Sequence, residues 1–145
     1  MFRKPIPFLV AVSLLLFSTS SFAGLTAKYW NILNTSSEDR DLAYLFTYAS
    51  APTLQREDAN IDFNWGTGGP GGSVTADWFT VRWEGRINIP TAGTWTFYTS
   101  SDDGNRLYID GALYLNDWEN QGAAAAPGVA GPAITLSAGW HNITY

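Results

Sequence analysis

The sequence predicts an all-β fold, an antiparallel β-sandwich or barrel with little helix, on three observations. Downstream of residue 24 no apolar 3.6-residue period runs longer than two turns, and the best helical candidate, 38–48, is short. Residues 78–89 alternate: Phe79, Val81 and Trp83 fall on one face, and Thr80, Arg82 and Glu84 on the other. A half-buried strand requires that period of two. Turn residues recur at intervals of about ten positions, the spacing of short strands in a sandwich or barrel.

The elements follow in order. Arg3 and Lys4 precede an apolar stretch over 8–17, which gives way to small polar residues and Ser21-Phe22-Ala23. That order reads as a secretory signal peptide over 1–23, because a membrane-spanning helix needs about 20 apolar residues. The expected mature domain is 24–145, a single domain of 145 − 23 = 122 residues, with no transmembrane helix. After the 78–89 strand, Pro90-Thr91-Ala92-Gly93 supplies a turn and 94–99 resumes with β-branched and aromatic residues, which together read as a hairpin. Residues 106–109 run into Asp110-Gly111, a pair suited to a type I′ turn, and 112–115 return as a second hairpin. Two stretches read as loops: 66–72, rich in glycine, and 121–132, dominated by alanine, glycine and proline. The chain stops at Tyr145 inside a strand-like segment, 139–145. That ending predicts a fragment or short reading frame, whose continuation would pair with an otherwise open sheet edge.

Charge and composition narrow the function. Removing Arg3 and Lys4 leaves 6 basic against 13 acidic residues, a mature charge of −7. So acidic a chain repels phosphate backbones, and nucleic acid is excluded as a partner. There is no cysteine and a single histidine, His141, so stability rests on the core, and the soft ligands of zinc or copper sites are lacking. Oxygen donors are abundant, and oxygen is the ligand of calcium.

Phe79-x-x-Arg82-Trp83-x-Gly85, Ala92-Gly93-Thr94-Trp95-Thr96-Phe97 and Ser101-Asp102-Asp103-Gly104-Asn105-Arg106-Leu107-Tyr108-Ile109-Asp110-Gly111 follow one another, and Asn116-Asp117-Trp118 and Ala138-Gly139-Trp140-His141 continue the series. The series resembles the anthrax protective-antigen fourteen-kilodalton-fragment domain family, most strongly between Phe79 and Trp118. The resemblance implies a β-sandwich, often described as a barrel, found in bacterial toxins, glycosidases, adhesins and yeast flocculins, many of which bind sugars. It further implies that two adjacent aspartates, joined by a cis peptide, hold a calcium ion that coordinates sugar hydroxyls. Asp102 and Asp103 occupy those positions. The family's other calcium-binding loop would fall after Tyr145.

The local chemistry leaves two readings of Asp102-Asp103. On an extended strand neighbouring side chains point to opposite faces and could not share an ion, whereas a cis peptide would turn both carboxylates one way, and two like charges together call for a cation. Asp-Asp-Gly between strands is equally ordinary turn chemistry. Asn116, Asp117, Glu119 and Asn120 surround Trp118, so that Asn116, Asp117 and Trp118 could present hydrogen-bonding groups and an apolar ring to a sugar, or Trp118 could pack beneath its loop. Asp110-Gly111 reads as a structural turn, and His141, with no evident base or nucleophile partner, as structural too. Asn34-Thr35-Ser36 and Asn142-Ile143-Thr144 match glycosylation acceptors.

The expected function is therefore an exported, calcium-dependent, lectin-like module that binds a glycan or polysaccharide, in the periplasm, at the cell surface or secreted. The alternatives are a structural or assembly domain of a surface protein and an accessory domain of a glycosidase. The chain itself is not expected to be an enzyme: Asp77, Glu84 and Glu119 could serve a glycosidase, but no pattern arranges them, and Asp102 and Asp103 are too close for that chemistry.

Overall fold

The computed structural model describes residues 22–32 and 51–145. The helical candidate at 38–48, the acceptor at Asn34 and most of the signal segment lie outside them. The described residues form ten strands and no helix: β1 (Phe22–Asn31), β2 (Leu54–Asp58), β3 (Phe79–Ile89), β4 (Gly93–Trp95), β5 (Tyr98–Thr99), β6 (Asn105–Ile109), β7 (Ala112–Asp117), β8 (Val129–Ala130), β9 (Ile134–Leu136) and β10 (Gly139–Thr144).

Six strands make one antiparallel sheet in the order β2-β1-β3-β10-β6-β7, and the pairs β4-β9 and β5-β8 stand apart from it. One apolar cluster spans both parts. From the large sheet it takes Leu25, Tyr29, Trp83, Ile87 and Ile143; Leu136 and the packed Trp95 and Ile134 come from the β4-β9 pair, and Phe97 from the link between β4 and β5. The result is the expected β-sandwich.

β3 shows the predicted alternation, with Phe79, Trp83, Ile87 and Ile89 buried. It lies between β1 and β10, pairing Tyr29 with Val81 and His141 with Ile87. A bulge in β1 separates the Phe22 and Ala23 pairs from the continuous ladder that starts at Thr26, so that ladder does not depend on the expected cleavage after Ala23. The second hairpin also forms. Asp110 (φ 49°) and Gly111 (φ 81°) both take the left-handed conformation that a type I′ turn needs, and β6 pairs β7 from Ile109↔Ala112 to Asn105↔Asp117.

One expectation fails. The 90–93 turn does not close a hairpin, because β4 pairs β9, with Thr94 opposite Thr135, and carries the chain from one layer to the other. The strand expected over 139–145 forms as β10, inside the sheet between β3 and β6. Local turn chemistry cannot distinguish a hairpin from a crossover between layers, since both need only a reversal.

Candidate functional site

The loops at the β6 start and β7 end of the large sheet collect most of the predicted site. Asp102 and Asp103, both half-buried, precede β6 and are joined by a cis peptide. Ser101 fixes the turn by donating its hydroxyl to the Asp103 carbonyl (2.6 Å), and it accepts in turn from the Asn105 amide (2.7 Å). Gly104 lets another loop close over the pair. A Cβ there would stand 2.7 Å from the Glu119 nitrogen and 2.8 Å from the Trp118 Cα, both backbone, so no side chain fits.

The loop after β7 is tied down by Gln121. Its backbone N–H donates to Asp103 Oδ1 (3.2 Å) and its side chain to Asp117 Oδ2 (2.7 Å), bridging the two carboxylates. Asn105, opposite Asp117 in the ladder, also reaches Asp117 Oδ2 (3.4 Å). Asp102, Asp103 and Asp117 therefore share one loop end. Asn116 does not join them: it faces the opposite side of the sheet and accepts from Arg106 Nε (2.7 Å). Trp118 is half-buried, with the Arg106 guanidinium 5.3 Å from its ring.

Asn105, Ser101 and Gln121 escaped the sequence reading. Asn105 follows directly on the Asp-Asp-Gly run and sits at an inward position of β6, a polar residue where the strand pattern asks for an apolar one. Gln121 gave no such signal, lying within a low-complexity loop 18 residues from Asp103.

The buried side of this end is polar and incompletely satisfied. Thr99, Ser100, Ser101 and Asn105 are all buried, and among the described residues Thr99 Oγ1, Asn105 Oδ1 and the Tyr145 hydroxyl have no partner in hydrogen-bond geometry. Burial pushes the Tyr145 phenol far above its ordinary value; Ser101 offsets part of the rise and the Asp117 charge adds to it. Such orphans are rare inside proteins and each asks for a ligand, water or ion. The donors here are carboxylate, amide and hydroxyl oxygens, the hard set calcium prefers. They fit it in part: no three His, Cys, Asp or Glu side chains converge as a metal site among the described residues. Asp102 and Asp103 would supply some of the six to eight oxygens calcium takes, leaving the rest to amides, carbonyls or a ligand's hydroxyls.

Glu84, His141 and Asp110 have structural roles. Glu84, one of the acids a glycosidase would need, accepts from Lys28 Nζ (2.8 Å) and Arg82 Nη2 (2.7 Å), and the Lys28 hydrogen bond leads in holding its carboxyl below the ordinary value. A carboxylate held ionised makes a poor general acid. His141 is not the isolated residue expected. Its Nδ1 lies 2.6 Å from Asp110 Oδ2, and its Nε2 lies 3.0 Å from the Ser137 carbonyl and 3.2 Å from the Ser137 hydroxyl. Because the carbonyl only accepts, Nε2 must carry a proton, which denies Ser137 a base. Asp110 thus does more than turn the chain: it also receives the Asn142 N–H on Oδ1 (2.9 Å) and pins β10 to the β6-β7 hairpin.

Fold and loop end together define a β-sandwich module with an acidic loop end. The chain belongs to the PA14 domain family, whose profile matches residues 23–139. Over 68 residues it is 46% identical to the anti-sigma-I factor RsgI3 of Acetivibrio thermocellus, a match covering 47% of this chain and 11% of that protein. A solved anti-sigma factor domain-containing protein from Clostridium clariflavum superposes with a TM-score of 0.64 at 30% identity, over 83% of this chain and 35% of that one. A PA14 sugar-binding domain from an RTX adhesin superposes with a TM-score of 0.55 at 22% identity, over 84% and 81% of the two chains, which shows the shared fold. The chain spans about a ninth of the curated relative and about a third of the first solved one.

Proposed function

We propose that this chain is an exported carbohydrate-binding module in which Asp102 and Asp103 hold calcium and the ion meets the hydroxyls of a glycan, with Asp117 and Trp118 lining the approach. The observation that carries the reading is Asn105: its amide oxygen is buried without a partner beside an acidic loop end. An unsatisfied buried acceptor costs about 1–3 kcal/mol, and a bound cation or its hydration shell would recover that cost. The solved domain named as sugar-binding, which shares the fold over most of both chains, supports the ligand class. No helix of the described residues is long and apolar enough to cross a membrane, and the signal-like segment over 1–23 supports export to the periplasm, the cell surface or the medium.

Calorimetry with calcium on the wild-type chain and on Asp102→Ala/Asp103→Ala tests the ion, and a glycan array with and without chelator tests the sugar. Saturable calcium binding that the double substitution abolishes is expected, together with chelator-sensitive glycan signals. Wild-type protein that binds no calcium would sink the reading. The relatives named as anti-sigma factors favour a second reading, in which the module spaces or docks another part of a longer protein. That reading predicts neither calcium nor glycan binding, and an unchanged fold in the double variant.

A further inference from the structure

The outer face of the large sheet carries a group of side chains that the sandwich does not use. β3 and β10 pair Asn88 with Trp140 and Arg86 with Asn142, and period-two alternation puts all four side chains on one face. Their neighbours Ile87, Ile89 and His141 point inward and are buried. Trp140 is 47% exposed, and with Leu113 it is one of the two large apolar side chains left exposed among the described residues. The Arg86 guanidinium lies 5.5 Å from the Trp140 ring centroid. Among the described residues Arg86 has no carboxylate or hydrogen-bond partner, in contrast to Lys28 and Arg82 on the same face, which both engage Glu84. The amides of Asn88 and Asn142 likewise make no side-chain bond within that set; Asn142 uses its backbone N–H on Asp110.

We propose that Arg86, Asn88, Trp140 and Asn142 form a second, calcium-independent site for a carboxylate-bearing saccharide, a chain of uronic-acid units being the simplest example. Each group supplies one part of that chemistry. An exposed indole offers a flat apolar surface to the C–H face of a pyranose ring. The arginine fork matches a carboxylate in bidentate geometry, and two amides present donors and acceptors to flanking hydroxyls. The charge selects the occupant. The Arg86 guanidinium, set against the Trp140 ring, attracts a carboxylate at short range against the chain's net charge of −5 and gives a neutral sugar no comparable gain. A second copy of the chain fits worse. A two-fold interface on this patch sets Arg86 near its own copy, and the neighbouring carboxylates are engaged, Glu84 by Lys28 and Arg82 and Asp110 by His141 and the Asn142 N–H. The patch is also separate from the Asp102-Asp103 end. It lies roughly 25–30 Å away along the strands at about 3.3 Å per residue, so this inference does not rest on the calcium reading.

The test is calorimetry on the full chain in chelator, with a galacturonic-acid hexamer as ligand and a neutral galactose hexamer as control. The acidic hexamer should bind saturably and lose affinity by about tenfold or more on Arg86→Gln, the scale of a charged hydrogen bond. Trp140→Ala should lower it too, the neutral hexamer should bind far more weakly, and Asp102→Ala/Asp103→Ala should change nothing. Arg86 and Trp140 are exposed, and unchanged urea midpoints across the variants would show that the fold survives. Three results overturn the proposal: no binding of the acidic hexamer at millimolar concentration, binding that Asp102→Ala/Asp103→Ala removes while Arg86→Gln leaves it intact, or a concentration-dependent dimer that Trp140→Ala dissolves, which would make the patch a self-interface.

Discussion

Two ends of this sandwich bury polar side chains, and they treat them differently. At the β1-β2 edge Asp58, 7% exposed at its side chain, receives Arg56 Nε (2.8 Å), Tyr29 Oη (2.9 Å) and Trp83 Nε1 (2.9 Å). Arg56 completes its own set with the Tyr29 hydroxyl and the Pro70 carbonyl, both at 2.8 Å, and so anchors the glycine-rich loop. Phe63 stacks on Trp83 and on Trp65 beneath it. At the Asp102-Asp103 end three buried polar atoms lack partners. A carboxylate saturated by fixed donors holds a fold together, whereas the acidic loop end keeps buried polar atoms with no partner in hydrogen-bond geometry among the described residues.

The largest expected effect would break this comparison at its firmer end. Asp58→Ala strands an arginine, a tyrosine hydroxyl and an indole N–H at once, and breaking a buried pair by removing one partner costs about 3–5 kcal/mol. Urea unfolding should register that loss, and a shift below about 1 kcal/mol would mean the network is not structural. Asp102→Ala, at a half-buried carboxylate in the loop before β6, should cost less than Asp58→Ala when the two are compared by urea unfolding without calcium.

The sequence shows these two ends unequally. The Asp102-Asp103-Gly104 run is legible because its chemistry is contiguous. The Asp58 network is not, since Tyr29, Arg56 and Trp83 are scattered along the chain and only the β1 ladders to β2 and β3 bring them together. Fold legibility divides the same way. β3 announces itself through eleven alternating residues and the β6-β7 hairpin through Asp110-Gly111, but β5 and β8 are two residues each, too short for any period, and their pairing is set by packing across the layers. Gln121 is invisible for a related reason: its importance comes from where the 121–132 loop lands.

A second substitution sharpens the comparison at the weaker end. If that end depends on the close approach of two backbones more than on its charges, Gly104→Ala should be the costly change there. Its Cβ would meet the backbone of Trp118 and Glu119, and overpacking of this kind costs about 1–3 kcal/mol. Urea midpoints for Gly104→Ala and Asp102→Ala should differ in that direction, and equal midpoints would argue against a loop clamped on Gly104.

Removing one hydroxyl at each end gives the most direct contrast. Tyr29→Phe deletes a hydroxyl that bonds both Asp58 and Arg56 and should cost about 1–2 kcal/mol. Tyr145→Phe deletes one that Ser101 approaches without reaching hydrogen-bond geometry and should be neutral or stabilising by up to about 1 kcal/mol, because most of the desolvation penalty disappears with it. Opposite signs for one chemical change would show that the ends differ in satisfaction and not merely in composition. Losses of equal size would show that a water or ion already satisfies Tyr145.

The smallest effect comes from a third acid, Asp110, which grades the comparison because it is well partnered yet half exposed. Its hydrogen bond raises the His141 pKa, and the same bond lowers that of Asp110. Protonated His141 therefore favours the folded state, a contribution present below the ordinary histidine value near 6.5 and lost as pH rises through the raised folded value. The Asp110 contribution is present above its ordinary value and lost as pH falls through the lowered one. The pair should thus be strongest between about pH 4 and 6.5, and the Asp110 side chain, 49% exposed, limits it to about 0.5–1 kcal/mol. Asp110→Asn suits the test, since asparagine tolerates the positive φ of this turn. Wild-type and variant urea midpoints should differ most near pH 5.5 and converge toward pH 8, and NMR titration should find His141 deprotonating at lower pH in the variant. A difference that instead stayed constant from pH 5.5 to pH 8 would mean that Asp110 acts through its bond to the Asn142 N–H and not through His141.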